Sequence, residues 1–213
     1  MNKINTSITI KNKPILSDTV LIAIFGALWG FMEISLGAIL KGIRIPMGGA
    51  ILTAIACIIF LTGRNFTQRR GSIIMMGTIA AILKVFSVGT VIAGPFMAIL
   101  IEASIGEVMI SIFGINLFSY VFTSSTLTLY TIVHPLISQG LIFGENIFKI
   151  YLETFRQTAN LFNIDVAYLG WIIVVYAGIH FILGAISGWL AFSLATRVKK
   201  EFIDLLHYRN HTQ

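Results

Sequence analysis

Ionisable side chains lie inside long apolar stretches of this sequence, where a charge is costly. Glu33 lies in a run that carries no other charge after Asp18, and Lys84 and Glu102 lie in two further apolar runs. A charged side chain at the centre of a bilayer costs roughly 2.5 to 3.5 kcal/mol on insertion scales, and such residues usually serve a binding or transport site. These three side chains therefore favour a polar ligand site inside a membrane over a purely structural network.

The carboxylates outnumber the cations in these runs. Glu107 follows Glu102 by five residues, which places it about 140° further round a helix, where it can face a different partner. Lys84 can neutralise one carboxylate and leaves at least one without a basic partner. An unpaired carboxylate in a low dielectric either holds a proton or prefers a cationic, hydrogen-bond-donating ligand.

Two aromatic side chains can add to such a site. Trp29 precedes Glu33 by four residues, so it lies on nearly the same helix face and can stack on an aromatic cation; packing in the core is its commoner role. His134 precedes Pro135 and either joins the site or caps carbonyls that a proline kink frees. Cys57 is the single cysteine, so the chain has no cysteine cluster for zinc or iron–sulfur; we predict no metal site and no bound cofactor.

The composition indicates an integral membrane protein. The chain has 213 residues, of which 56% are hydrophobic and 11% are charged, whereas about 25% of the residues of a soluble protein are charged. The formal charge of +6 does not indicate nucleic-acid binding, because the basic residues flank the apolar runs, where membrane topology uses them. Residues 1–213 are expected to form a single membrane domain.

The apolar runs predict an all-α bundle of six transmembrane helices. The spans are predicted at about residues 18–40, 47–62, 71–91, 95–113, 117–143 and 168–196, with an amphipathic, interfacial segment at 145–165. The fifth run is either one helix kinked near Pro135 or two half-helices. Ala93, Gly94 and Pro95 are predicted to form a tight turn before the fourth span.

The distribution of Lys and Arg predicts the orientation. Six spans place both termini on one side, and ten Lys or Arg residues lie on that side against four on the other. The side richer in Lys and Arg is normally cytoplasmic, so both termini are predicted to be cytoplasmic. This topology places Glu33, Lys84, Glu102 and His134 at similar depth in the outer half of the membrane.

The first helix has two distinct faces. Ala23 and Ala27 form a small-xxx-small pair and lie about 40° apart on a helix, whereas Glu33 is about 80° to 120° away from them. The second face carries Gly26, Gly30, Glu33 and Gly37. One helix thus offers a smooth surface for close helix contact and a separate surface with a charge. Gly184 and Gly188 form a second close-packing pair in the last span.

These features resemble the substrate-binding S component of an energy-coupling factor (ECF) transporter. The AxxxA contact motif of that family is matched by Ala23 and Ala27. Its Ile-Pro entry to the second helix, its glycine at the third and its proline at the fourth are matched by Ile45-Pro46, Gly71 and Pro95. The resemblance extends over residues 18–196.

The resemblance implies a function, a location and partners. Such a protein is a multi-pass protein of the prokaryotic plasma membrane that binds a vitamin or related small micronutrient for uptake. Its partners are a membrane coupling protein, which Ala23 and Ala27 would contact, and a pair of ATPase subunits. The cobalamin, riboflavin, thiamine and biotin assignments all remain open.

Two other classes of protein fit the same charged residues. One is a stand-alone carrier or channel-like protein in which Glu33, Lys84 and Glu102 exchange protons. The other is an intramembrane enzyme that uses Glu and His as acid and base. Because the sequence has no phosphate-binding glycine-rich loop, no HExxH motif and no GxSxG motif, we expect a protein that is not an enzyme.

Overall fold

The chain folds into a helical bundle. The computed structural model describes residues 9–10, 13–14, 17–43, 47–67, 69–86, 93–143, 149 and 166–211. The helices are α1 (Asp18–Gly42), α2 (Gly48–Phe66), α3 (Ser72–Val85), α4 (Ala93–Phe113), α5 (Leu117–Phe143) and α6 (Val166–His211). A short antiparallel pair of strands, β1 (Thr9–Ile10) and β2 (Lys13–Pro14), precedes α1. The all-α prediction is confirmed.

Four of the described helices are long and apolar enough to cross a membrane. They are α1, α2, residues 94–113 of α4 and residues 170–201 of α6. Helix α3 is apolar but has 14 residues, about 21 Å of helix, against a hydrocarbon core of about 30 Å. The six-span count and the cytoplasmic termini stay predictions, whereas four such helices indicate a membrane protein.

Several predicted boundaries require correction. Residues 93–95 are not a tight turn but the first turn of α4, where a proline is tolerated because the first N–H groups of a helix have no partner within it. Helix α2 continues to Phe66 and includes Arg64, which was predicted to lie in a connection. Helix α6 continues beyond the predicted end at residue 196 to His211.

The fifth apolar run is one continuous helix of 27 residues that contains Pro135. Of the two alternatives, one helix and two half-helices, the first is therefore confirmed. The predicted interfacial segment at 145–165 lies, apart from Lys149, outside the described residues.

The glycine face of α1 packs against α3. A Cβ atom on Gly26 would lie 2.9 Å from the backbone oxygen of Met76, and one on Gly30 would lie 3.1 Å from Cα of Ala80. Any larger residue at these positions would push the two helices apart. The glycines thus allow the close approach that brings the Glu33 face of α1 to Lys84 of α3.

Helix α2 is the central element. It packs against α1, α3, α5 and α6, while α3 also contacts α1 and α4, and α5 contacts α4 and α6. Trp29, Phe60 and Tyr120 are the largest fully buried side chains of the core. Large apolar side chains on the outer faces of the bundle are exposed, as expected of surfaces that contact lipid; Phe31, Ile112 and Trp171 are 64%, 69% and 69% exposed.

Small and hydroxyl residues join α5 to α6. A Cβ atom on Gly184 would lie 2.5 Å from Cα of Ser125, and one on Gly188 would collide with the backbone oxygen of Tyr120. The Thr128 hydroxyl donates a hydrogen bond of 2.8 Å to the backbone oxygen of His180. The predicted close-packing role of Gly184 and Gly188 is confirmed, and the polar patch of α5 lies at this contact.

We predict that Gly184→Ala lowers the free energy of unfolding by roughly 1–3 kcal/mol, the usual cost of overpacking. The added methyl group meets backbone atoms of α5, which cannot rotate away. Gly178→Ala, on the same helix with no atom within 4 Å of the new Cβ, is the matched control and should be neutral or slightly stabilising. Thermal unfolding in detergent measures both; equal midpoints would contradict the packing described here.

Candidate functional site

Glu33 of α1 and Lys84 of α3 form a buried ion pair. Each residue is 8% exposed, and Lys84 Nζ lies 3.3 Å from Glu33 Oε2. The same ammonium group donates a hydrogen bond to the backbone oxygen of Glu33. Lys84 therefore neutralises the Glu33 carboxylate and also fastens α1 to α3.

Glu102 of α4 is equally buried but has a different environment. It is 6% exposed, and its Oε1 accepts a hydrogen bond of 2.7 Å from the Thr53 hydroxyl of α2. The ion pairs among the described residues join Glu33 to Lys84 and Glu107 to Arg64, and neither includes Glu102. The charges of Glu102 and Glu33 repel each other; convergence of the two carboxylates with Lys84 in one site stays a prediction.

His134 has a partner on its own helix. Its Nδ1 shares a hydrogen bond of 2.9 Å with the Tyr130 hydroxyl, one turn earlier on α5, and the ring also interacts with the backbone of Gly94. Tyr130 in turn interacts electrostatically with Glu102. His134 is thus joined to Tyr130 by a hydrogen bond, whereas its place in one site with Glu102 stays a prediction.

Trp29 is fully buried in the core. Its ring packs against Phe60 with centroids 5.1 Å apart. The indole Nε1 is directed at the Glu33 carboxylate, yet it does not reach hydrogen-bond geometry with any acceptor of the described residues. The position fits the packing alternative, and ligand stacking on Trp29 stays a prediction.

Glu107 belongs to a separate cluster. Its two carboxylate oxygens accept hydrogen bonds of 2.7 Å and 2.9 Å from the backbone N–H groups of Gly71 and Ile73, and Arg64 lies 4.0 Å away. Free N–H groups and a positive dipole end make a helix N-terminus a favourable place for a carboxylate. Glu107 thus caps α3 from a neighbouring helix, so it does face a different partner from Glu102.

Buried hydroxyl groups on α5 were not recognised as site residues from the sequence. The hydroxyl oxygens of Ser119, Thr123 and Ser124 are buried and have no hydrogen-bond partner among the described residues. Ser124 lies beside Cys57, and the Cys57 thiol also interacts with Glu102. The sequence does contain a feature that points to them, a run of Ser and Thr that lowers the hydropathy of an apolar segment without forming a turn.

Ala23 and Ala27 lie on a different face of α1 from Glu33. Both are exposed, next to Ile24 and Leu28, which are 52% and 44% exposed. Because Glu33 on the other face is buried, the division of α1 into an inner charged face and an outer smooth face is observed. Contact of the alanines with a partner protein stays a prediction.

No family model matches the chain, and comparisons with curated proteins and with solved structures give no match either. Within the described part of the chain, no group of three or more His, Cys, Asp or Glu side chains could hold a metal ion. A functional conclusion therefore depends on the geometry of the buried charges and of the outer surface.

We predict that Lys84→Met destabilises the protein by about 3–5 kcal/mol, since removing one partner leaves a buried charge unpaired. The double variant Glu33→Gln/Lys84→Met should recover much of this loss because neither charge remains. Lys200→Met, at an exposed position of α6, is the control and should unfold like the wild type. Chemical unfolding in detergent measures all four proteins; a double variant no more stable than Lys84→Met would refute mutual neutralisation.

Proposed function

We propose that this chain is the substrate-binding S component of an ECF-type transporter, which takes up a vitamin or related small micronutrient across the plasma membrane of a prokaryotic cell. The observation that carries the proposal is the division of α1 into two faces. One face holds Glu33 against Lys84 in the bundle, and the other presents Ala23 and Ala27 at the surface. An S component needs both a ligand site inside and a partner surface outside.

The inner face supports a ligand with a positive or hydrogen-bond-donating group. Glu33 is neutralised by Lys84, whereas the Thr53 hydroxyl is the donor to Glu102 among the described residues. The region therefore carries an excess carboxylate at low exposure. A cationic solute is favoured over a vitamin rich in carboxylates, because it would supply the missing countercharge.

The outer face supports a membrane coupling protein as partner. Small side chains at Ala23 and Ala27 let the backbone of another helix approach closely, which is how helices associate in a membrane. The sequence contains no glycine-rich loop followed by Lys-Ser/Thr for nucleotide phosphates, so the energy would come from separate ATPase subunits.

The proposed orientation, with both termini in the cytoplasm, does not depend on Arg64. This residue is buried against Glu107 and is therefore a poor reporter of topology. Without it, nine Lys or Arg residues remain on the proposed cytoplasmic side against four on the other, and the bias keeps its sign.

A stand-alone proton-coupled carrier is the second candidate. The observation in its favour is the presence of proton-carrying groups in the helices, with His134 hydrogen-bonded to Tyr130 and Glu102 buried, because proton relays in membranes use such groups. Affinity purification of the tagged chain from its native membrane separates the two candidates. Co-purified coupling protein and ATPase subunits favour the S component, and a chain that purifies alone and transports in liposomes favours the carrier.

We predict that Ala23→Trp or Ala27→Trp abolishes energised uptake while folding and ligand binding remain unchanged. The bulky ring would keep a partner helix from approaching α1, but it would project away from Glu33. Ile182→Trp, at a 59% exposed position of α6, is the matched control and should transport normally. Uptake in cells and ligand binding by the purified protein are the two measurements; normal uptake by both alanine variants would refute the partner surface.

A further inference from the structure

We propose that Glu102 is the centre of a binding site for a singly charged cation, either an inorganic ion such as Na⁺ or a protonated amine. The site is centred on the hydrogen bond between Thr53 of α2 and Glu102 of α4, and the Cys57 thiol of α2, next to Ser124 of α5, interacts with Glu102. It is separate from the Glu33–Lys84 ion pair. It does not depend on the transporter proposal, since a stand-alone carrier could use it equally well.

The three buried carboxylates of the described helices differ in how their charge is compensated. Glu33 has the Lys84 ammonium group at 3.3 Å. Glu107 has the Arg64 guanidinium group at 4.0 Å and two backbone N–H donors. Glu102 has the neutral Thr53 hydroxyl as donor. Because all three are below 10% exposed, solvent cannot replace the missing cation at Glu102.

The groups around Glu102 are oxygen ligands that suit a hard cation. The Thr53 hydroxyl lies 2.7 Å from Oε1 of Glu102, and its oxygen retains lone pairs that a cation can share. The Ser124 hydroxyl is fully buried, and apart from its contact with the Cys57 thiol it has no hydrogen-bond partner among the described residues. The Cys57 thiol in turn interacts with Glu102. The oxygen of Ser124 therefore has acceptor lone pairs that a cation can use.

The charge balance selects a single positive charge. The Glu33–Lys84 pair is neutral in total, although the Glu33 carboxylate repels that of Glu102. One carboxylate at Glu102 therefore balances one monovalent cation, whereas a divalent ion would leave an uncompensated positive charge in a low dielectric. A carboxylate with hydroxyl oxygens favours a hard ion or an ammonium group.

Thermal unfolding of the purified full-length protein in neutral detergent tests the site. The probes are NaCl and methylammonium chloride, with tetraethylammonium chloride at equal ionic strength as the reference, because that ion is bulky and has no N–H donor. We expect at least one probe to raise the midpoint by roughly 5–10 °C at a hundredfold excess over its Kd. A response to Na⁺ identifies an inorganic ion, and a response to methylammonium alone identifies the amine of a solute.

Two variants assign the response to Glu102. Glu102→Gln should abolish it, whereas Glu201→Gln, at an exposed position of α6, should retain it. Thr53→Val keeps the Glu102 carboxylate, and its unfolding midpoint should rise only at higher probe concentrations than in the wild type. This variant tests the site if Glu102→Gln does not fold. Two results would overturn the proposal. One is a wild-type midpoint that changes equally in all three salts, which would mean that a proton satisfies Glu102. The other is a response to the probe that both Glu102→Gln and Thr53→Val retain.

Discussion

A charge inside an apolar bundle has to be neutralised there, and this constraint determines how the helices of this protein meet. Lys84 reaches both the side chain and the backbone of Glu33, so the pair fixes α3 against α1. Glu107 links α4 to the start of α3 and lies beside Arg64 of α2. Such pairs add little net stability compared with apolar residues, but breaking one is expensive. Their main effect is to exclude other arrangements of the same helices.

Glycine makes these electrostatic contacts possible. An ion pair of 3.3 Å requires the backbones of α1 and α3 to be close, and the contacts at Gly26 and Gly30 leave no room for a side chain. The same device joins α5 to α6 at Gly184. Hydroxyl groups of α5 strengthen that interface, because Ser125 and Thr128 donate hydrogen bonds to backbone oxygens of α6.

The sequence predicts the helices better than it predicts their partners. Apolar runs and punctuating residues located α1, α2, α4 and α5 closely, since a bilayer allows few other structures for such runs. The count of charges predicted that Lys84 pairs with one of the buried carboxylates. Spacing along a single helix could not predict which carboxylate that is. The acceptor that caps the N-terminus of α3 could not be predicted from the sequence either. The N-cap residue of this helix is Gly71, at φ +83° and without a side chain to accept hydrogen bonds, and the acceptor comes from Glu107, 36 residues away. Arg64 lies in α2, which continues four residues beyond the predicted end at residue 62 to Phe66, and its charge is compatible with a buried helix end because Glu107 lies beside it.

The position of the ion pair on α1 has a mechanical consequence for any partner of the outer face. Ala23 and Ala27 precede Glu33 by ten and six residues, or about 15 Å and 9 Å along the helix axis. Because Gly26 and Gly30 bring α1 close to α3 and Lys84 joins the two helices, a partner bound at the alanines would meet a surface whose position is fixed by α3. Glu102 lies on α4, which packs on α3. A movement of α1 imposed by such a partner would therefore have to pass through the α1–α3 and α3–α4 interfaces to change the environment of Glu102.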